Sequence, residues 1–153
     1  MPTVFNEWHW EVTRRCNLRC FHCITTCGEA PEDEMSTEAA ILATRRMAEL
    51  GCTRLMITGG EPLVREDIFT IIKTCKKRGM ELGLLTNGLT VNRYVVSELS
   101  SLLGSIGVSL DGAVERTHDA IRGKGSFKKA CRAISHFSKT LPVSAYIAVS
   151  SNN

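Results

Sequence analysis

"TRRCNLRCFHC", residues 13–23, places Cys16, Cys20 and Cys23 inside eight positions, and Cys27 follows four residues later. A disulfide staple, a zinc site, an iron–sulfur cluster or chance could each explain such crowding. Three thiolates can ligate three irons of a [4Fe–4S] cluster and leave the fourth iron open. A closed structural zinc site needs a fourth ligand, which Cys27 or His22 could supply. The C-x3-C-x2-C spacing departs from paired C-x2-C zinc knuckles, and no second pair occurs downstream. Spacing thus favours a cluster over zinc and leaves both open.

The surrounding chain weakens the staple. Its 153 residues, 43% hydrophobic and 23% charged, suit one globular domain with a core that needs no covalent help. The net charge of +3 is spread among mixed signs, which argues for neither nucleic acid nor an anionic membrane as partner. No apolar run approaches the roughly 18 residues of a membrane span. The opening "MPTVFNEWHWEVT" lacks the basic start, apolar run and cleavage site of a signal peptide. A cytoplasmic setting, where thiols stay reduced, is the expectation.

Outward from the cysteines, strand and helix patterns alternate. "EWHWEVT" (7–13) reads as a first strand, with Trp8, Trp10 and Val12 on one side. After a polar loop, Ser36 caps a helix carrying Ala40, Ala43, Met47 and Leu50, which Gly51 ends. Strands follow at 53–58, 81–86, 105–110 and 143–150. Between them lie helices striped by Ile68, Ile71, Ile72 and Cys75, then by Val91, Val95, Leu99 and Leu102, then by Phe127, Ala130, Cys131, Ile134 and Phe137. Four βα units and a fifth strand argue for an α/β fold with a parallel sheet and helical crossovers, in one domain over 1–153. The chain stops soon after a strand, so it reads as a domain cut short at its C-terminus, with an apolar edge strand.

In barrels and open α/β sheets, active sites form at the C-terminal strand ends. The cysteine loop, "GGEP" (59–62), "TNG" (86–88) and "SLDG" (109–112) each follow one of the first four strands. Two adjacent glycines let bare backbone approach a ligand, though Gly-Gly and Pro also serve a plain tight turn. "TNG" and "SLDG" equally read as turns, with Asn or Asp before Gly. "RGKGSF" (122–127) lacks the full dinucleotide fingerprint.

Together these motifs resemble the radical S-adenosylmethionine (radical SAM) enzymes. "CNLRCFHC", "GGEP", "TNG" and "SLDG" match that family in its order, and the likeness runs from about Trp8 to Ser150. "CNLxCxxC" and the stretch of His118, Asp119, Ile121, Arg122, Gly125, Ser126 and Phe127 are similar to the branch of peptide-modifying (SPASM-type) maturases and haem-biosynthesis enzymes. The resemblance implies a partial TIM barrel of the (β/α)6 type, here ending after the fifth strand. It implies a [4Fe–4S] cluster on Cys16, Cys20 and Cys23, with S-adenosylmethionine (SAM) on the open iron. Backbone atoms of Gly59, Gly60 and Glu61 would meet the methionyl amine, and Ser109 the carboxylate or ribose. Arg122 would be a carboxylate partner, with His22 near the adenine and Asn87 and Asp111 as weaker members of the rim. The implied reaction is reductive cleavage of SAM to a 5′-deoxyadenosyl radical that takes hydrogen from a substrate. That substrate would be a peptide or protein, or alternatively a tetrapyrrole or other small molecule, and a flavodoxin or ferredoxin would supply the electron. A non-catalytic cluster- or zinc-binding module is the contrasting reading. Such an incomplete barrel could itself be inactive.

Other conspicuous residues read as structural. Cys52, Cys75, Cys131, Met47, Met56 and Met80 suit core packing. Cys27 reads as a surface thiol, an occasional fourth ligand or part of a substrate site, and His9, His118 and His136 carry no ligand spacing. "EAPEDE" (29–34) reads as a solvated loop.

Overall fold

The computed structural model describes residues 6–29 and 31–150. Residues 1–5, Ala30 in the acidic run, and the closing residues 151–153 lie outside the described residues. Five strands form one sheet in the order β1 (Glu7–Glu11), β2 (Arg54–Thr58), β3 (Glu81–Thr86), β4 (Ser105–Ser109) and β5 (Val143–Tyr146). Every neighbouring pair is parallel. Each strand therefore pairs with the next in sequence, and the intervening chain crosses back as helix: α1 (Thr37–Glu49), α2 (Ile68–Lys77), α3 (Arg93–Leu102), then α4 (Glu115–Arg122) with α5 (Ser126–Phe137).

Alternation along the strands separates two faces. Leu55, Ile57, Leu82, Leu84 and Ile106 are buried against the helices, where they meet Ile68, Ile71, Ile72, Leu99 and Phe137. On the opposite face, a Cβ on Gly83 would sit 2.7 Å from Met56 Cε, and one on Gly107 would sit 2.5 Å from the Tyr146 ring. Small residues there make room for large side chains from neighbouring strands.

The helix starts are local chemistry. Ser36 accepts from Ala39 N–H at 3.2 Å and Asn92 from Val95 N–H at 3.0 Å, each satisfying an otherwise unpaired donor of the first turn. Among the described residues, no helix is long and apolar enough to cross a membrane.

The elements correct the sequence reading at several points. β1 ends at Glu11 rather than Thr13, because the chain turns there into the cysteine loop. β5 ends at Tyr146 rather than Ser150, and Ala148 N–H donates to the Asp111 carboxylate at 2.9 Å instead of extending a ladder. The pattern of α4 was missed. It is short and buries only His118 and Ile121. Leu50 is 66% exposed, since the helix has already closed at Glu49, and Val91 precedes the Asn92 cap of α3. Cys52 and Cys75 are buried as expected, but Cys131 is only half-buried.

Phe137, fully buried at the end of α5, joins the last crossover to the main core. Phe137→Ala should lower unfolding free energy by about 3–5 kcal/mol. Urea denaturation followed by circular dichroism checks it.

Candidate functional site

The cysteine loop leaves β1 and folds back across the end of β2. Its base is closed by Cys16 N–H on Gly28 carbonyl (2.7 Å) and Gly28 N–H on Arg14 carbonyl (2.9 Å). It is then stitched to the GGEP turn, where Gly60 N–H donates to Thr13 carbonyl and Glu61 N–H to Arg15 carbonyl, both at 2.8 Å. This crossing explains the glycine pair. A Cβ on Gly59 would lie 2.4 Å from Thr13 O, and one on Gly60 would lie 2.2 Å from Arg15 O. Gly59 also holds φ +138°, which side chains disfavour. The bare backbone first admits the cysteine loop, and the remaining faces of both glycines line the cavity beyond it.

Two further anchors fix the loop. Arg65, 5% exposed, donates to Val12 and Met35 carbonyls at 2.6 and 2.8 Å and pairs with Asp67. Asn87 Nδ2, at the end of β3, donates to Asn17 Oδ1 at 2.7 Å and comes within 4.0 Å of Cys16 Sγ. Glu34, taken from sequence as part of a solvated run, accepts from Thr13 Oγ1 and pairs with Arg15 at 3.1 Å. That acid therefore belongs to the loop's support.

Behind the GGEP turn, the fully buried Glu61 carboxylate accepts from Leu63 N–H (3.1 Å), Thr86 Oγ1 (2.8 Å) and Asn87 N–H (2.7 Å). Burial pushes its pKa up, against the pull of those donors. Asp111 is a second buried carboxylate. It accepts from Arg122 Nε and Ala148 N–H, and His22 Nε2 lies 3.2 Å from it. Burial works against its charge, but Ala148 N–H and Arg122 outweigh it and hold the carboxyl below the usual aspartate range. Asp111 N–H in turn donates to Nδ1 of buried His118 at 3.1 Å.

These supports frame a cavity of about 240 Å³ at the C-terminal strand ends. Nine of the eleven residues singled out from sequence line it: Cys16, Cys20, Cys23, His22, Gly59, Gly60, Asn87, Ser109 and Arg122. Glu61 and Asp111 do not; their carboxylates stand behind the wall and orient the groups that do. Arg122, read as a carboxylate partner, is already paired with Asp111. Sequence reasoning missed Thr25, and it carried Asn17 and Thr86 only as parts of the cysteine and TNG motifs, with no role of their own. Of the readings of Cys27, the surface thiol does not hold: it is 7% exposed and lines the cavity.

The thiols are unlike. Burial raises the pKa of Cys16, and of Cys20, where the Arg122 charge opposes it. At Cys23 burial also raises it, but hydrogen bonds from Cys27 and Thr25 prevail and lower it. The wall fits an anionic cluster. None of the lining residues is acidic, the Arg122 charge reaches Cys20, and His22 Nδ1 is buried without a partner among the described residues. Among the described residues, no three His, Cys, Asp or Glu side chains gather closely enough to hold a single metal ion, whether Cys16, Cys20 and Cys23 or a set closed by Cys27 or His22.

An α/β half-barrel with a triple-cysteine loop over a glycine pair defines a class, and comparison with known proteins agrees. Residues 10–151 match the radical SAM superfamily model, so the chain belongs to the radical SAM superfamily. That family works with a [4Fe–4S] cluster and SAM. The chain is 36% identical over 128 residues to Fe-coproporphyrin III synthase of Methanosarcina barkeri, covering 82% of this chain and 32% of that protein. It is 33% identical over 141 residues to mycofactocin maturase MftC of Mycolicibacterium smegmatis, covering 92% and 36%. The structure of anSMEcpe with bound AdoMet and Kp18Cys peptide superposes with a TM-score of 0.79 at 23% identity, over 94% of this chain and 43% of that one. The chain thus spans about a third of the length of these curated relatives.

Gly60→Ala would drive a methyl into the Arg15 carbonyl. It should cost about 1–3 kcal/mol and sharply reduce iron retained after anaerobic reconstitution, read by melting temperature and iron assay. Asp111 has a second signature. Because its folded-state pKa is depressed, its stabilisation is complete above the ordinary aspartate value of 3.8 and is lost as pH falls below it. Asp111→Asn should lose about 1–3 kcal/mol at pH 7 and show a flatter stability profile below about pH 5, measured by urea unfolding across pH.

Proposed function

We propose that this chain forms the core of a radical SAM enzyme that acts on a peptide or protein. The observation that carries the proposal is convergence. Three cysteines of one loop, the Gly59–Gly60 turn and Ser109 open onto one cavity with no acidic wall. When bound, the cluster supplies one electron for SAM cleavage, and the resulting 5′-deoxyadenosyl radical takes a substrate hydrogen.

In this reading Cys16, Cys20 and Cys23 hold three irons. The N–H groups of Gly60 and Glu61 are committed to the cysteine loop, so the turn offers its carbonyls to the methionyl amine. Ser109 meets the SAM carboxylate or ribose, and Arg122, which lines the cavity, meets the same carboxylate. His22 lies beside the adenine, and its Nδ1 is buried without a partner among the described residues. Asp111 is a positioning residue that aims Arg122 and His22 together, while Glu61 and Asn87 fix the strand ends. A flavodoxin- or ferredoxin-type protein supplies the electron.

The peptide assignment is supported by the peptide-bound state of anSMEcpe and by likeness to a maturase. Tetrapyrrole modification is the second reading, favoured by His22 and by the likeness to Fe-coproporphyrin III synthase. Substrate-dependent formation of 5′-deoxyadenosine from peptide or from iron porphyrin separates the two.

The cofactor assignment predicts that the anaerobically reconstituted, reduced protein gives a [4Fe–4S]⁺ EPR signal that changes shape on adding SAM. Single alanine substitutions of Cys16, Cys20 or Cys23 should abolish that signal. A signal indifferent to SAM would point to a fourth protein ligand and overturn the assignment.

A further inference from the structure

Four thiols rather than three face the cavity, and the fourth has no part in the reading above. Cys27 is directed back at Cys23. Its N–H donates to Cys23 Sγ at 3.4 Å, and its own Sγ lies 2.8 Å from Thr25 Oγ1. The same hydroxyl oxygen lies 3.7 Å from Cys23 Sγ. Between them Thr26 is held at φ +47°, the single non-glycine residue with positive φ among those described. A β-branched residue adopts that conformation at a cost of about 1–2 kcal/mol. The turn it makes brings both the N–H and the thiol of Cys27 round to Cys23.

Resting on the reading that Cys23 ligates iron, we propose that Thr25 and Cys27 form a hydrogen-bond relay that sets the reduction potential of the cluster through Cys23. Ligation fixes the direction of the relay. An iron-bound thiolate has no proton and can only accept, so the single Thr25 hydroxyl hydrogen points to Cys23 Sγ. The Thr25 oxygen is then an acceptor for the Cys27 S–H. Chained donors polarise one another, and with the Cys27 N–H they place two donors on one cluster sulfur. Donors to ligand sulfur withdraw negative charge and raise the potential. Neither of the other two ligands has a hydroxyl–thiol relay of this kind. Cys16 Sγ takes a backbone hydrogen bond from Leu18 and has the Asn87 amide at 4.0 Å, and Cys20 has the Arg122 charge near it. Thr25 and Cys27 are positioning residues here, not ligands.

The test is a redox titration of the reconstituted protein, followed by the [4Fe–4S]⁺ EPR signal, with iron and sulfide content measured in parallel. Thr25→Val and Cys27→Ala should keep full iron content and shift the potential downward. Thr25→Ser and Cys27→Ser, which keep a donor at each position, should restore it. Full iron content with unchanged potential in both Thr25→Val and Cys27→Ala would overturn the relay alone. Loss of iron in both Cys27 variants would overturn it too, by making Cys27 a ligand. Absence of any cluster in the unsubstituted protein would instead overturn the radical SAM reading on which the relay stands.

Discussion

The site depends on one backbone crossing. The cysteine loop passes over the end of β2 so closely that Gly60 and Glu61 donate to the Thr13 and Arg15 carbonyls, and a Cβ on either glycine would occupy the space of those oxygens. The thiols are therefore placed by the sheet, through main-chain bonds, and not by side-chain packing. Removing two side chains lets a rigid strand end dictate where a long loop sits. Arg65 reinforces the crossing from outside, and Asn87 ties it from the neighbouring strand.

The second layer is electrostatic. Two carboxylates stand behind the cavity wall and are satisfied differently. Glu61 accepts from two backbone N–H groups and a hydroxyl, which brace the ends of β2 and β3 against each other. Asp111 gathers Arg122 from α4, His22 from the cysteine loop and Ala148 from beyond β5. Unpaired buried charge is costly, so each partner of Asp111 is held where it is. This is how the C-terminal part of the chain is locked to the loop near its start.

Much of this was legible in the residues. The strand–helix alternation rests on buried apolar positions, and each motif follows a strand because sites in such folds form at the C-terminal strand ends. The cysteine spacing and GGEP marked residues that the fold gathers round one cavity. Less visible was anything defined by direction rather than type. α4 buries only two residues, too few for a stripe. The glycines read as making room for a ligand, yet they first make room for the cysteine loop. Arg122 read as free to meet a ligand, but sequence does not show which carboxylate a cation will find. Cys27 read first as a surface thiol because it falls outside the triplet. The left-handed turn at Thr26, which buries it, has no signature in a β-branched residue.

In the proposed reading, the strand end places three cysteines for three irons and leaves the fourth iron to a small molecule. Mössbauer spectroscopy of the protein reconstituted with ⁵⁷Fe, with and without SAM, addresses that arrangement atom by atom. The account predicts a four-iron cluster in which one iron changes its isomer shift when SAM is added while three stay as they were. Four irons that all remain unchanged, or a mononuclear thiolate site, would contradict it.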